Sequence, residues 1–164
     1  NQSKETGWDV YSLALSGDRK PVPFLKTSFQ EILPVLSPDG RFLAYGSNES
    51  GRFEVYVQSF PGPGGKWQIS TSGGGEPHWR SDGKELYYRT PNQKLMGVGI
   101  GTAGGFSVGV PQPLLSARLV TGLMRDRFLP THDGKRFLAL LQLGREAMTP
   151  TTVVLNWAAG LTGK

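Results

Sequence analysis

A turn that recurs constrains this chain more than any other feature. Asp39-Gly40, Asp82-Gly83 and Asp133-Gly134 each sit between two short apolar runs. An Asp-Gly pair in that setting marks a β-hairpin, because Gly takes a positive φ without penalty and Asp tolerates the corner. The flanks recur too. Pro34-Val35-Leu36 before the first turn matches Pro77-His78-Trp79 before the second, and Phe128-Leu129-Pro130 precedes the third. After the turns come Phe42-Leu43-Ala44-Tyr45, Leu86-Tyr87-Tyr88-Arg89 and Phe137-Leu138-Ala139-Leu140, aromatic-rich runs bounded by turn residues, which read as strands.

A further strand follows in each copy, at Phe53 to Val57, Lys94 to Val98 and Thr152 to Leu155. Trp8 to Leu13 matches the first of these, and outer strands are expected at Pro21 to Lys26, Lys66 to Ser70 and Pro113 to Ala117. Four short antiparallel strands in each 40 to 50 residues, roughly, is the content of a β-propeller blade. A β-sandwich spaces its strands similarly but does not require the units to resemble one another. The expected fold is therefore all-β, with about three to three and a half four-stranded antiparallel blades. The divisions fall at an N-terminal tail (1–7), the end of one blade (8–27), two full blades (28–71 and 72–117) and an incomplete last blade (118–161).

A closed propeller has typically about four to eight blades. The blades here are thus expected to be part of a ring, completed by the rest of a larger propeller or by association. Two copies, with the outer strand of one completing the last blade of the other, would make about six.

Composition removes several classes of function. The 18 Lys and Arg outnumber the 13 Asp and Glu, but they are scattered singly beside turns, with no basic run to follow a phosphate backbone, so no nucleic-acid role is expected. The absence of cysteine rules out disulfides and thiolate chemistry in this chain. No window reads as a membrane span, so no membrane insertion by this segment is expected.

Several motifs match catalytic patterns without their context. Gly105-Phe106-Ser107-Val108-Gly109 fits G-x-S-x-G, yet Pro111 and Pro113 follow where a nucleophile elbow needs a helix. Gly99, Gly101 and Gly104 fit the dinucleotide pattern, but they run on into a strand rather than opening a helix. His78 and His132 stand at non-equivalent repeat positions with no clustered ligands, so neither a metal nor a cofactor is expected. Asn48-Glu49-Ser50 is read as turn composition. The tyrosines and tryptophans are expected to pack between blades.

On the innermost strand, side-chain alternation puts Trp79 on one face and Glu76, His78 and Arg80 on the other, towards the central channel. These three are the candidate binding residues.

The string Ser37-Pro38-Asp39-Gly40-Arg41-Phe42-Leu43-Ala44-Tyr45, with Ser47-Asn48-Glu49-Ser50-Gly51, resembles the TolB-type, WD-like bacterial propeller repeat. The continuation through Glu54-Val55-Tyr56-Val57-Gln58, Glu76-Pro77-His78-Trp79 and Asp82-Gly83-Lys84-Glu85-Leu86 is similar to the C-terminal propeller region of bacterial membrane-anchored Ser/Thr kinases and related sensors. The resemblance spans about Trp8 to Leu161. It departs at Arg80-Ser81 and Thr131-His132, where the motif has Ser-Pro. It implies a non-catalytic module that binds a protein, peptide or glycan in the bacterial periplasm or at the cell exterior. No kinase signature occurs. The rival reading is the gating propeller of a prolyl-oligopeptidase-like hydrolase, with its catalytic domain outside this chain.

Overall fold

The computed structural model describes residues 2–3, 7–62, 64–116, 119 and 127–141. Every regular element among them is a strand. A short ladder joins β1 (Gln2–Ser3) to β2 (Gly7–Trp8), so part of the expected tail is paired. β3 (Val10–Leu13) and β4 (Pro21–Leu25) pair antiparallel as the last two strands of one blade. β5 (Glu31–Leu36), β6 (Phe42–Ser47), β7 (Glu54–Ser59) and β8 (Lys66–Gln68) form a complete four-stranded meander.

The next blade comprises β9 (Gly75–Trp79), β10 (Glu85–Arg89), β11 (Lys94–Gly101), β12 (Ser107–Val108) and β13 (Gln112–Ser116). β14 (Phe128–Pro130) and β15 (Phe137–Ala139) begin another. These sheets are β-propeller blades, antiparallel throughout. The strand expected at Thr152 to Leu155 lies outside the described residues.

One hydrogen-bond pattern closes all three Asp-Gly hairpins. Gly40 N donates to Ser37 O, Gly83 N to Arg80 O and Gly134 N to Thr131 O, each at 2.9 Å. The aspartate then accepts from the amide two residues on: Arg41 N on Asp39 at 3.1 Å, Lys84 N on Asp82 at 3.0 Å and Lys135 N on Asp133 at 3.1 Å. Each glycine has a φ of 67° to 71°, which an L side chain adopts only with strain.

The Gly-rich stretch resolves into a split strand. β11 pairs with β13 along its first half and with β12 along its second. A Cβ on Gly97 would stand 2.9 Å from Leu114 and from Glu85, and one on Gly101 2.5 Å from Ser107 Oγ. Glycine therefore permits two neighbours to crowd one strand. Ser107, the serine of the elbow-like pattern, pairs with Gly101 in this hairpin. The hairpin delivers Phe106 onto Trp67 and Phe42 of the preceding blade, with ring centroids 4.2 and 4.6 Å apart.

The core lies between sheets rather than within any one. Leu25 packs on Leu43, Tyr45 and Tyr56, joining the first blade remnant to the first full blade. Ala44, Val55 and Val57 meet Trp79, Leu86 and Tyr88 across the next interface, where Trp79 Nε1 donates to Val35 O at 3.2 Å. Tyr87 and Leu95 meet Phe128 and Phe137 across the third. Each buried large apolar side chain contributes about 1.5–3 kcal/mol, so the blades hold one another through their faces.

Candidate functional site

The innermost strands share an irregularity. Leu33 and Glu76 both take positive φ, 53° and 56°, and each precedes a proline, Pro34 or Pro77. Proline disfavours the right-handed helical region for the residue before it and supplies no N–H to the ladder. The strand answers with one extra residue: Ile32 pairs with Gly46 but Val35 with Ala44, and His78 pairs with Tyr87 but Gly75 with Arg89. Such bulges re-aim side chains and concentrate at functional sites.

Here the re-aimed residues reach a cavity of about 710 Å³, placed where the innermost strands of successive blades begin. Leu33 and Glu76 line it, as does Arg127, which stands one residue before β14 as Glu76 stands before Pro77. Asp9, Glu31 and Arg89 supply the other charges of the wall.

The cavity wall carries charges of both signs. Glu76 is 3% exposed and receives a bidentate grip: Arg127 N donates to Oε1 and Arg127 Nη1 to Oε2 at 2.8 Å. Arg89 Nε stands 3.4 Å from the same Oε2. Two further carboxyl groups of the lining, Asp9 and Glu31, are both buried. Glu31 Oε1 accepts from Thr27 Oγ1 at 2.5 Å. Burial pushes the Glu31 carboxyl above its ordinary range, and the charge of Asp9 adds to the push.

The three candidate residues, Glu76 and His78 on β9 and Arg80 just after it, all meet the following repeat at different heights. Glu76 lines the cavity and binds Arg127. His78 stands edge-on to Phe128, ring centroids 4.8 Å apart. Arg80 lies at the far end of the strand, in the hairpin, where its guanidinium donates to Asp82 at 2.7 and 2.8 Å and to Glu85 at 2.9 Å. Arg80 occupies the turn position held by Ser37 and Thr131 in the other hairpins, and it supplies by charge what they supply by hydroxyl. The trio is therefore split, with only Glu76 on the cavity wall.

Asp9, Glu31, Arg89 and Arg127 were not among the sequence candidates. One signal for Arg127 was available: counted back from the Asp-Gly turn, it holds the repeat position of Glu76. Asp9 likewise aligns with Glu54, another buried acid that opens a third strand. Among the described residues no group of three or more His, Asp or Glu could hold a metal ion. No helix among them is long and apolar enough to cross a membrane.

No family model matches the chain, and no curated protein matches it. Among solved structures it is similar to the crystal structure of TolB from Acinetobacter baumannii, at 18% identity and a TM-score of 0.45 over 72% of this chain. The match takes in 39% of that structure, so the chain spans well under half of its length.

Proposed function

We propose that this chain is a non-catalytic recognition module that binds a peptide or protein segment in the cavity at the start of the innermost strands. The observation that carries the reading is the repeated bulge. Two blades accept positive φ at a non-glycine residue, at about 1–3 kcal/mol each, and in both the affected side chain lines the cavity. A pocket of this size, with apolar walls and a few fixed charges, suits a side chain or two of a ligand rather than a flat interface.

The residues around it support binding more than chemistry. Glu76 and Arg127 neutralise each other, and no described histidine lines the wall beside an acid. The resemblance of the repeat to bacterial sensor propellers supports a place in the periplasm or at the cell exterior, as the extracytoplasmic part of a kinase-linked sensor.

Selection of a random peptide library on the folded chain tests the proposal. Phe53→Arg, which puts a long charged side chain at the cavity rim, serves as the blocked control. Peptides that bind the native chain and lose at least tenfold in affinity on Phe53→Arg support the proposal. Peptides indifferent to that change would place recognition elsewhere.

A further inference from the structure

Two of the buried acids, Glu54 and Glu76, are well supplied with donors. Glu54 accepts from Arg52 Nε at 2.8 Å, from Gly73 N at 2.8 Å and from Ser70 Oγ. Glu31 differs. It is 3% exposed, and beyond the Thr27 bond to Oε1 its second oxygen, Oε2, is shielded from water without a hydrogen-bond partner. Among the described residues, the charges acting on it are Asp9 and Glu49, which oppose its ionisation, and Lys66, which favours it but is already paired with Glu49. A dry carboxylate oxygen with no donor costs stability, and native proteins rarely keep one without a use. Glu31 and Asp9 share the cavity wall with Trp8 and Phe53, two aromatic residues left 45% and 38% exposed.

We propose that the Glu31–Asp9 wall is a subsite for a primary ammonium group on an alkyl stem, presented by a lysine side chain of a peptide ligand. The inference deepens the binding reading above and rests on it. An ammonium is compact and carries three donors, so one cation can satisfy Glu31 Oε2 and face Asp9 together, the Glu31 side chain turning to meet it. Its stem finds apolar surface on Trp8 and Phe53, where aromatic faces also attract a cation. The two carboxyl groups fall short of the ligand number a bound metal requires. Arg89 and Arg127, which line the same cavity and are held on Glu76, repel a second cation. The subsite therefore selects an isolated lysine over a polybasic run.

Four probes test this on the whole chain: Nα-acetyl-lysine methylamide, its norleucine and Nε-acetyl counterparts, and n-butylammonium. Binding is followed through the side-chain carboxyl resonances of Glu31 and Asp9. The lysine compound is expected to shift both saturably and more tightly than butylammonium, while the two uncharged compounds do not. Glu31→Gln is expected to weaken lysine binding at least tenfold while retaining a cooperative melt, and Asp9→Asn serves as the second variant. Equal binding of the norleucine compound, unchanged affinity in both variants, or no saturable shift overturns the subsite. Butylammonium binding as tightly as the lysine compound overturns the peptide as its source. Library peptides that bind the cavity without lysine sink the subsite alone, whereas lysine binding with no selectable peptide sinks the recognition module instead.

Discussion

Glu76 and Arg127 occupy the same position in successive repeats, and the guanidinium of one lies 2.8 Å from the carboxylate of the other. Both are buried, at 3% and 8% exposure, so the pair ties two blades together beside the cavity. Removing one partner of a buried pair strands the other charge, at about 3–5 kcal/mol. Glu76→Gln is accordingly expected to lower unfolding free energy by about 3 kcal/mol, because Arg127 and Arg89 both lose the charge of Glu76. Arg127→Met in the Glu76→Gln background is expected to recover part of that loss. A denaturant double-mutant cycle measures the coupling, and additive losses would show that the pair does not join the blades.

Glu31 is expected to behave in the opposite sense. Its folded pKa is raised, so ionisation opposes folding: the cost is absent below the unfolded value and develops as pH rises through the folded one. Asp9 and Glu49 add to that cost and Lys66 reduces it, while Glu76, Arg89 and Arg127 are the other charged groups lining the cavity. Glu31→Gln is expected to stabilise the protein at pH 7 by about 1 kcal/mol, the scale of one buried polar atom without a partner. Urea titrations at pH 4 and pH 7 check this, since the gain should shrink at the lower pH. Such a gain is what a residue kept for binding gives up in stability.

The hairpin glycines are not interchangeable. A Cβ on Gly40 meets nothing within 4 Å, whereas one on Gly134 would stand 2.5 Å from Arg80 Cδ and 2.7 Å from the Tyr87 hydroxyl. Gly40→Ala is expected to cost about 1 kcal/mol from its positive φ alone. Gly134→Ala adds the displacement of Arg80 and is expected to cost about twice as much. Thermal melts of the two variants decide it, and equal losses would mean that Arg80 yields freely.

Acid is expected to loosen the hairpins before the cores. The Ser37 hydroxyl and the Arg41 amide hold the Asp39 carboxyl down at about 2, and the Arg80 guanidinium does the same for Asp82, also at about 2. Their contribution is complete above the unfolded value, about 3.9, and is lost as pH falls towards 2. Both groups are exposed, so each is worth little alone. Asp39→Asn with Asp82→Asn is expected to flatten the pH dependence of stability between about pH 4 and 2. An unchanged slope would assign acid sensitivity to the buried acids.

The blades were legible in the sequence because hairpin chemistry is local: Asp39, Gly40 and the amide of Arg41 lie within three residues. Trp79 was legible as buried because strand alternation fixes its face once Pro77 and the turn are placed. The cavity was not legible in the same way. Asp9, Glu31, Glu76, Arg89 and Arg127 come from five segments, and only blade-against-blade packing brings them to one wall. Arg80 was misleading for a related reason. It follows directly after β9 and so lies in the hairpin, where Asp82 and Glu85 engage its charge.

The two ends of the innermost strands offer the sharpest test of where recognition occurs. Hydrogen–deuterium exchange of the chain, with and without a peptide selected on it, reads both ends at once. The account predicts slowed exchange at residues 8–11, 31–33 and 74–76, around the cavity. Protection confined to the Asp-Gly hairpins at 39–41, 82–84 and 133–135, with the cavity segments unchanged, would contradict it.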